Sequence, residues 1–174
     1  MGDVNPNLAI RPLGQADLEA AAKVIAACMD GDVERQLELL QRRLTRGTDS
    51  ALLVAEVDSQ VVGVGRVAYF EPAEDAPSNA APSGWYLLGV NVDAGHRRRG
   101  IGKALTIARL KWIGERAAVA WFFTDASNEA SIRLHEALGF RRNTRDFWFP
   151  TATFGKDGGL LFSLSLRGSR AQAR

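Results

Sequence analysis

The chain has 174 residues and a mass of 18.9 kDa, a length that favours one domain able to bury a core without disulfides or a structural metal. Hydrophobic residues make up 46% and charged residues 24%, while a single cysteine and two histidines rule out an intramolecular disulfide and argue against a zinc site of the usual ligand set. No apolar run approaches the ~20 residues that span a bilayer, and Met1–Pro6 lacks the basic-then-apolar pattern of a secretory signal, so a cytoplasmic protein is expected.

Charge is uneven along the chain. Residues 1–96 hold 7 Lys+Arg and 14 Asp+Glu, a net of −7, whereas residues 97–174 hold 15 and 6, a net of +9. This is either ordinary fluctuation or the mark of a polyanion bound by the basic half.

In chain order, Leu8–Arg11 reads as a short strand. Ala16–Met29 reads as a helix, with Leu18, Ala21, Ala22, Ile25 and Met29 at helical spacing. Asp32–Arg46 is a second helix carrying Val33, Leu37, Leu40 and Leu44 on one stripe, with Asp32 as N-cap and Gly47 as its stop. Ala51–Val57 and Gln60–Phe70 are strands joined by a tight turn at Asp58-Ser59. Glu71–Gly84, rich in proline and acid, is a loop. Trp85–Val92 is a strand apolar enough to be buried on both faces.

Gly102–Arg116 is a helix with Ile101, Ala104, Leu105, Ala108 and Trp112 turned inward. Ala118–Thr124 is a central apolar strand, and Ser127–Leu138 is a helix stopped by Gly139. Phe140–Phe149 and Leu160–Leu166 are closing strands separated by a loop over 150–159, and the tail after Arg167 is small and polar. The order β-α-α-β-β-β-α-β-α-β-β, with one right-handed βαβ unit, gives a mixed α/β sheet with helices on both faces in a single domain of core 8–167.

The stretch Val90-Asn91-Val92-Asp93-Ala94-Gly95-His96-Arg97-Arg98-Arg99-Gly100-Ile101-Gly102-Lys103 follows a strand and opens a helix. A helix N-terminus presents N–H groups and partial positive charge to an anion. Gly100 and Gly102 let backbone approach it closely, and Arg97, Arg98 and Arg99 add charge. The pattern is neither a Walker loop nor a dinucleotide fingerprint. It reads as a phosphate cradle rather than as a turn with a solvated arginine run.

Arg97-Arg98-Arg99-Gly100-Ile101-Gly102 resembles the R/Q-x-x-G-x-G/A acetyl-CoA loop of the GNAT superfamily of N-acetyltransferases. Asn128-Glu129-Ala130-Ser131-Ile132-Arg133-Leu134-His135-Glu136-Ala137-Leu138-Gly139-Phe140 resembles the family's second signature, an Asn opening a helix that ends in Gly-Phe. The order of elements is also similar to that fold.

The resemblance implies acetyl-CoA as co-substrate, with the amides of Arg97, Arg98, Arg99, Gly100, Ile101, Gly102 and Lys103 around its pyrophosphate. It implies a central splay between strands Trp85–Val92 and Ala118–Thr124, a β-bulge near Gly89, and the backbone of Val90 and Val92 along the pantetheine arm. Asn128 would contact CoA, unless it is an ordinary first-turn residue beside the caps Asp125 and Ser127.

Many family members carry a tyrosine where this chain has His135, as general acid for the departing thiolate. Asn128, Ser131 and His135 share a helix face by spacing. Histidine, with a reference pKa of about 6.5 against about 10 for tyrosine, is the stronger acid but less often protonated at neutral pH. His135 is thus a general acid, a hydrogen-bond partner of the thiolate, or a packed histidine with water in the catalytic role.

No general base stands out. Glu71, Glu74 and Asp75 lie in the Pro-rich loop, and Asp30, Asp32, Glu34 and Glu38 surround the junction of the first two helices. The resemblance places the helix junction and the loop before the final strand on the acceptor side, where an acidic wall would draw a cationic amine. Tyr86 could order a water there. Cys28, on an apolar helix face, reads as packing rather than nucleophile. Trp112 and Trp121 read as core, and Trp85 and Trp148 as core or pocket wall.

The reading is an N-acetyltransferase moving acetyl from acetyl-CoA to a primary amine, a small cationic one such as a polyamine or aminoglycoside type, within a ternary complex. The alternatives are a non-catalytic acyl-CoA-binding module and a protein N-terminal or lysine acetyltransferase. Expected partners are the small-molecule amine and, as an option, a second copy in a homodimer, with no nucleic acid, membrane or metal.

Overall fold

The computed structural model describes residues 7–45 and 49–166. The helix stop expected at Gly47 and the polar tail after Arg167 lie outside the described residues. Seven strands, β1 (Leu8–Pro12), β2 (Ser50–Val57), β3 (Gln60–Phe70), β4 (Gly84–Val92), β5 (Val119–Asp125), β6 (Arg141–Thr144) and β7 (Gly159–Ser165), are hydrogen-bonded in the order β1-β2-β3-β4-β5-β7-β6, a mixed sheet. The chain divides into two compact units, one of residues up to Ala68 with Leu88–Lys111, the other of Tyr69–Leu87 with residues from Trp112 on.

The first unit contains β1 (Leu8–Pro12), α1 (Leu18–Met29), α2 (Val33–Leu44), β2 (Ser50–Val57), most of β3 (Gln60–Phe70), the last residues of β4 (Gly84–Val92) and most of α3 (Ile101–Gly114). β1, β2 and β3 form an antiparallel run. The β2–β3 turn places Asp58 and Ser59 at φ 49° and 64°, the pair of left-handed residues that a two-residue hairpin needs to follow strand twist. Asp32 caps α2, its carboxylate accepting from Arg35 N at 2.7 Å. Met29 and Val33, expected on the apolar stripes, are exposed where α1 passes into α2.

Helices cover both faces of this unit's sheet. Leu18, Ala21, Ala22, Ile25 and Leu40 pack with Leu52, Val54 and Val64, while Ile101 and Leu105 pack with Leu53, Ala55, Val57 and Val62. Strand alternation alone would put Val62 and Val64 on one face. The register steps from Ala55↔Gly63 to Glu56↔Val61, so Val62 is an extra residue that resets the alternation. Gly63 is needed beneath α3, because a Cβ there would lie 3.0 Å from Leu105 and 3.2 Å from Ile101.

The second unit holds β5 (Val119–Asp125), α4 (Glu129–Ala137), β6 (Arg141–Thr144) and β7 (Gly159–Ser165), with the first residues of β4. β5 pairs parallel with β4 over Trp85↔Ala120, Tyr86↔Trp121 and Leu87↔Phe122, and antiparallel with β7 along its whole length. β4 is therefore not buried on both faces throughout. Tyr86 and Leu87 are buried, and the residues beyond the β5 ladder are half-buried or exposed.

The strand expected over Phe140–Phe149 is confined to Arg141–Thr144. Trp148 N donates to Asn79 O and its carbonyl accepts from Ala81 N, both at 2.8 Å, which draws the segment away from β7. Phe147 and Phe149 then join Phe123, Phe70 and Tyr86 in a continuous aromatic cluster.

Candidate active site

β4 leads through Asp93 and a short 3-10 turn, Ala94–His96, into the arginine run and α3. Asp93 organises the turn: its carboxylate accepts from Gly95 N at 3.1 Å and meets His96 Nδ1 at 2.8 Å, and the bond to His96 holds its pKa below the usual carboxylate range. Arg97 turns back, donating from Nε to Val92 O at 3.1 Å and reaching Cys28 Sγ at 3.6 Å. Cys28 also donates to Val92 O at 3.3 Å. Arg98 and Arg99 are exposed.

Two residues of the loop have left-handed backbone, Arg98 at φ 63° and Gly100 at φ 78°. For an arginine that conformation costs about 1–2 kcal/mol, and it shapes the loop rather than the core. A Cβ on Gly100 would meet nothing within 4 Å, so the glycine is kept by its φ and by the open space above it. Ala104 N donates to Gly100 O at 2.9 Å, starting the helix. The first-turn N–H groups of Ile101, Gly102 and Lys103 have no intrahelical acceptor. Open space, arginines and a helix N-terminus together suit a phosphate group.

Behind the loop lies a group that sequence reasoning missed. Arg109, 1% exposed, carries its guanidinium into the first unit's core. Nη1 donates to Arg66 O at 3.1 Å and Gly89 O at 3.2 Å, Nη2 to Thr106 Oγ1 at 3.0 Å, and Nε to Leu105 O at 3.3 Å. Burial pushes its pKa down to about 9. The signal was present: Arg109 stands four residues after Leu105 and eight after Ile101, on α3's apolar stripe.

On α4, Asn128 is the N-cap itself, accepting from Ser131 N at 3.2 Å through Oδ1. Asp125, expected as a cap, instead binds Ser127 N and Oγ and Gly155 N. Ser131 is half-buried and His135 is 3% exposed. His135 Nδ1 lies 2.8 Å from Ser131 O, and its ring stacks on Phe122. Because a carbonyl only accepts, Nδ1 carries a proton.

The expected acceptor residues are not alike. Glu71, Glu74 and Asp75 are exposed; Glu71 accepts from Tyr69 Oη at 2.9 Å, and Glu74 and Asp75 meet no cation among the described residues. Tyr86 departs from expectation. It is fully buried, and its hydroxyl donates to Pro82 O at 2.6 Å, which leaves no proton to order a water. Among the described residues there is no cluster of metal-ligating side chains and no helix long and apolar enough to cross a membrane.

Comparison with known proteins agrees with this geometry. Residues 18–140 match the model of the Acetyltransferase (GNAT) family. The chain is 32% identical over 123 residues to mycothiol acetyltransferase of Acidothermus cellulolyticus, covering 65% of this chain and 37% of that protein. It is 34% identical over 82 residues to the ribosomal protein bS18-alanine N-acetyltransferase of Escherichia coli K12, covering 46% and 55%. The chain thus spans about a third to a half of the length of these curated relatives.

Among solved structures, the ribosomal-protein-alanine N-acetyltransferase of Brucella melitensis superposes with a TM-score of 0.69 at 26% identity, over 90% of this chain and 99% of that one. The fold also matches the yncA structure of Salmonella typhimurium, solved with its cofactor acetyl-CoA, at a TM-score of 0.68 and 21% identity over 96% and 98%.

Proposed function

The chain belongs to the acetyltransferase (GNAT) family, and from that membership we propose that it transfers the acetyl group of acetyl-CoA to a primary amine. The observation that carries the reading is the open loop at Gly100, where left-handed backbone and a helix N-terminus adjoin the exposed Arg98 and Arg99. The amides of Arg97 to Lys103 take the pyrophosphate. The backbone of Val90 and Val92 runs beside the pantetheine arm, and a strand N–H there polarises the thioester oxygen.

The amine attacks the thioester carbonyl directly. The C–N bond forms as the C–S bond breaks, the amine proton leaves to water, and the CoA thiolate takes up a proton. Orientation of the two substrates supplies most of the acceleration. Asn128 contacts CoA through its exposed carboxamide, with Ser131 one turn along. His135 stands as proton donor to the thiolate. Since Nδ1–H is committed to Ser131 O, that donation uses Nε2 and requires the imidazolium.

For the acceptor, the exposed acids Glu71, Glu74 and Asp75 favour a small cationic amine. A second reading, the N-terminal alanine of a protein, is favoured by the likeness to the Brucella melitensis enzyme over nearly the whole chain. Release of free CoA thiol, measured against polyamines, amino sugars and peptides beginning in alanine, decides between them. Acetyl-CoA binding without turnover on any amine would leave the non-catalytic acyl-CoA-binding module in place of both.

A further inference from the structure

Gly89 has φ +62° inside β4, two residues beyond the last pair with β5 at Leu87↔Phe122. At that left-handed position the carbonyl of the Gly89–Val90 peptide accepts from Arg109 Nη1 at 3.2 Å. The same Nη1 donates to Arg66 O on β3 at 3.1 Å, so one buried cation spans two neighbouring strands. A trans peptide is planar, with its C=O and N–H pointing in opposite directions. With Gly89 O held toward α3, the Val90 N–H is directed the other way, off the α3 side of the strand.

We propose that Arg109 is a positioning residue for acetyl transfer: by holding Gly89 O it aims and polarises the Val90 N–H toward the acetyl-CoA thioester. The proposal rests on the acetyl-CoA reading given above and adds to it a buried side chain outside both sequence signatures.

Two observations and one general principle support the assignment. First, Arg109 meets no carboxylate among the described residues, and its guanidinium donates only to carbonyls and one hydroxyl. A buried guanidinium is costly to desolvate, as the lowered pKa shows, and an aliphatic side chain would fill α3's stripe more cheaply. Second, a cationic donor on a carbonyl polarises the peptide and makes its N–H a stronger donor.

Third, the network reaches the phosphate loop: Arg109 Nη2 donates to Thr106 Oγ1 at 3.0 Å, and Thr106 Oγ1 donates to Gly102 O at 2.8 Å. The bond to Gly102 O is Thr106's own, so the first turn of α3 keeps it when Arg109 is replaced. Gly65 makes room for it, since a Cβ there would lie 3.0 Å from Nε and 3.1 Å from Cδ.

The test uses the full chain and the variants Arg109→Met, Arg109→Lys and Gly65→Ala, with acetyl-CoA as the probe. Amide ¹H–¹⁵N spectra are recorded with and without acetyl-CoA, alongside kcat and KM. In wild type, acetyl-CoA should shift the amides of Val90, Gly100 and Gly102. In Arg109→Met the Val90 shift should shrink while those of Gly100 and Gly102 persist, and kcat should fall about tenfold or more with a smaller change in the acetyl-CoA KM. Arg109→Lys should be intermediate. A merely structural role would disturb all three amides together, and that result overturns the proposal, as does a Val90 shift and kcat equal to wild type.

Should Arg109→Met fail to fold, Gly65→Ala decides, because it crowds the guanidinium while keeping the charge. A diminished Val90 shift in that variant supports the proposal, and an unchanged one overturns it. Absence of any acetyl-CoA-induced shift in wild type would instead remove the acetyl-CoA reading itself.

Discussion

The His135 imidazole lies flat on the Phe122 ring, with centroids 3.5 Å apart and planes 4° from parallel. This contact, with the Nδ1–H bond to Ser131 O, fixes the ring in the core of its unit. His135→Phe keeps the stack and removes both nitrogens. If His135 protonates the thiolate, His135→Phe should lower kcat by roughly 100-fold or more with little change in acetyl-CoA affinity. His135→Tyr should recover much of the loss, because a phenol extends a donor from the same ring position. Steady-state rates of the three enzymes check this. A His135→Phe enzyme that keeps most of its kcat would assign thiolate protonation to solvent and His135 to packing.

The Gly100 loop gives a prediction that separates fold from binding. Gly100→Ala must hold φ near +78°, which strains an L-residue by about 1 kcal/mol, yet its Cβ meets no protein atom. The variant should fold with a small loss of stability and bind acetyl-CoA more weakly. Gly100→Glu adds a carboxylate where phosphate oxygens belong and should weaken acetyl-CoA binding by roughly 100-fold or more. Calorimetric titration with acetyl-CoA, beside a thermal melt, checks both. Full affinity in Gly100→Glu would remove the loop from the binding site.

Most of the fold could be read from the sequence because its helices and strands are strongly periodic. Asp32 as an N-cap, Asp58-Ser59 as a hairpin turn and Gly139 as a helix stop are local chemistry, and each stands where the residues indicate. What escaped reading was non-local. The extra residue at Val62 changes which face is buried, and only the register with β2 reveals it. The segment after Thr144 has strand-like residues, but its bonds to Asn79 and Ala81, distant in sequence, override that preference.

At the candidate site, the acetyl-CoA loop was legible as a motif, since its function lies in backbone and glycines. Arg109 was not, because a lone charged residue on an apolar stripe does not disclose which carbonyls it will meet. Tyr86 was misjudged for the same reason: its partner, Pro82 O, is set by the path of the acidic loop.

That loop carries the acceptor prediction. Glu74 and Asp75 are exposed and Glu71 holds Tyr69 Oη, so their charge is available to a diffusing cation. Glu71→Gln, Glu74→Gln and Asp75→Asn combined should raise the KM of a cationic acceptor more than they lower kcat. The difference from wild type should fade as salt rises past about 0.15 M, where the Debye length is about 8 Å. An acceptor KM indifferent to both mutation and salt would leave these acids as surface charge with no part in acceptor recognition.

The last prediction concerns stability and pH at Asp17. Arg11 on β1 donates from Nη1 and Nη2 to the two Asp17 carboxylate oxygens at 2.7 and 2.8 Å, and it also binds Glu56 on β2. Gly14 N adds a third donor to Asp17 at 2.7 Å. The Arg11 bonds chiefly, and Gly14 after them, hold the Asp17 pKa below the usual carboxylate range, against the opposing effect of burial. A folded-state pKa below the unfolded one means that the unfolded chain binds the proton first as pH falls. The stabilisation is therefore complete above the unfolded value of about 3.9 and is lost as pH drops through the lower folded value. Asp17→Asn removes the charge at every pH. Urea midpoints should show the wild type clearly more stable at about pH 7 and 5, with the gap to Asp17→Asn closing below about pH 4. A gap that stays constant down to acid pH would mean that Asp17 stabilises the β1–α1 corner by hydrogen-bond geometry alone and not by its charge.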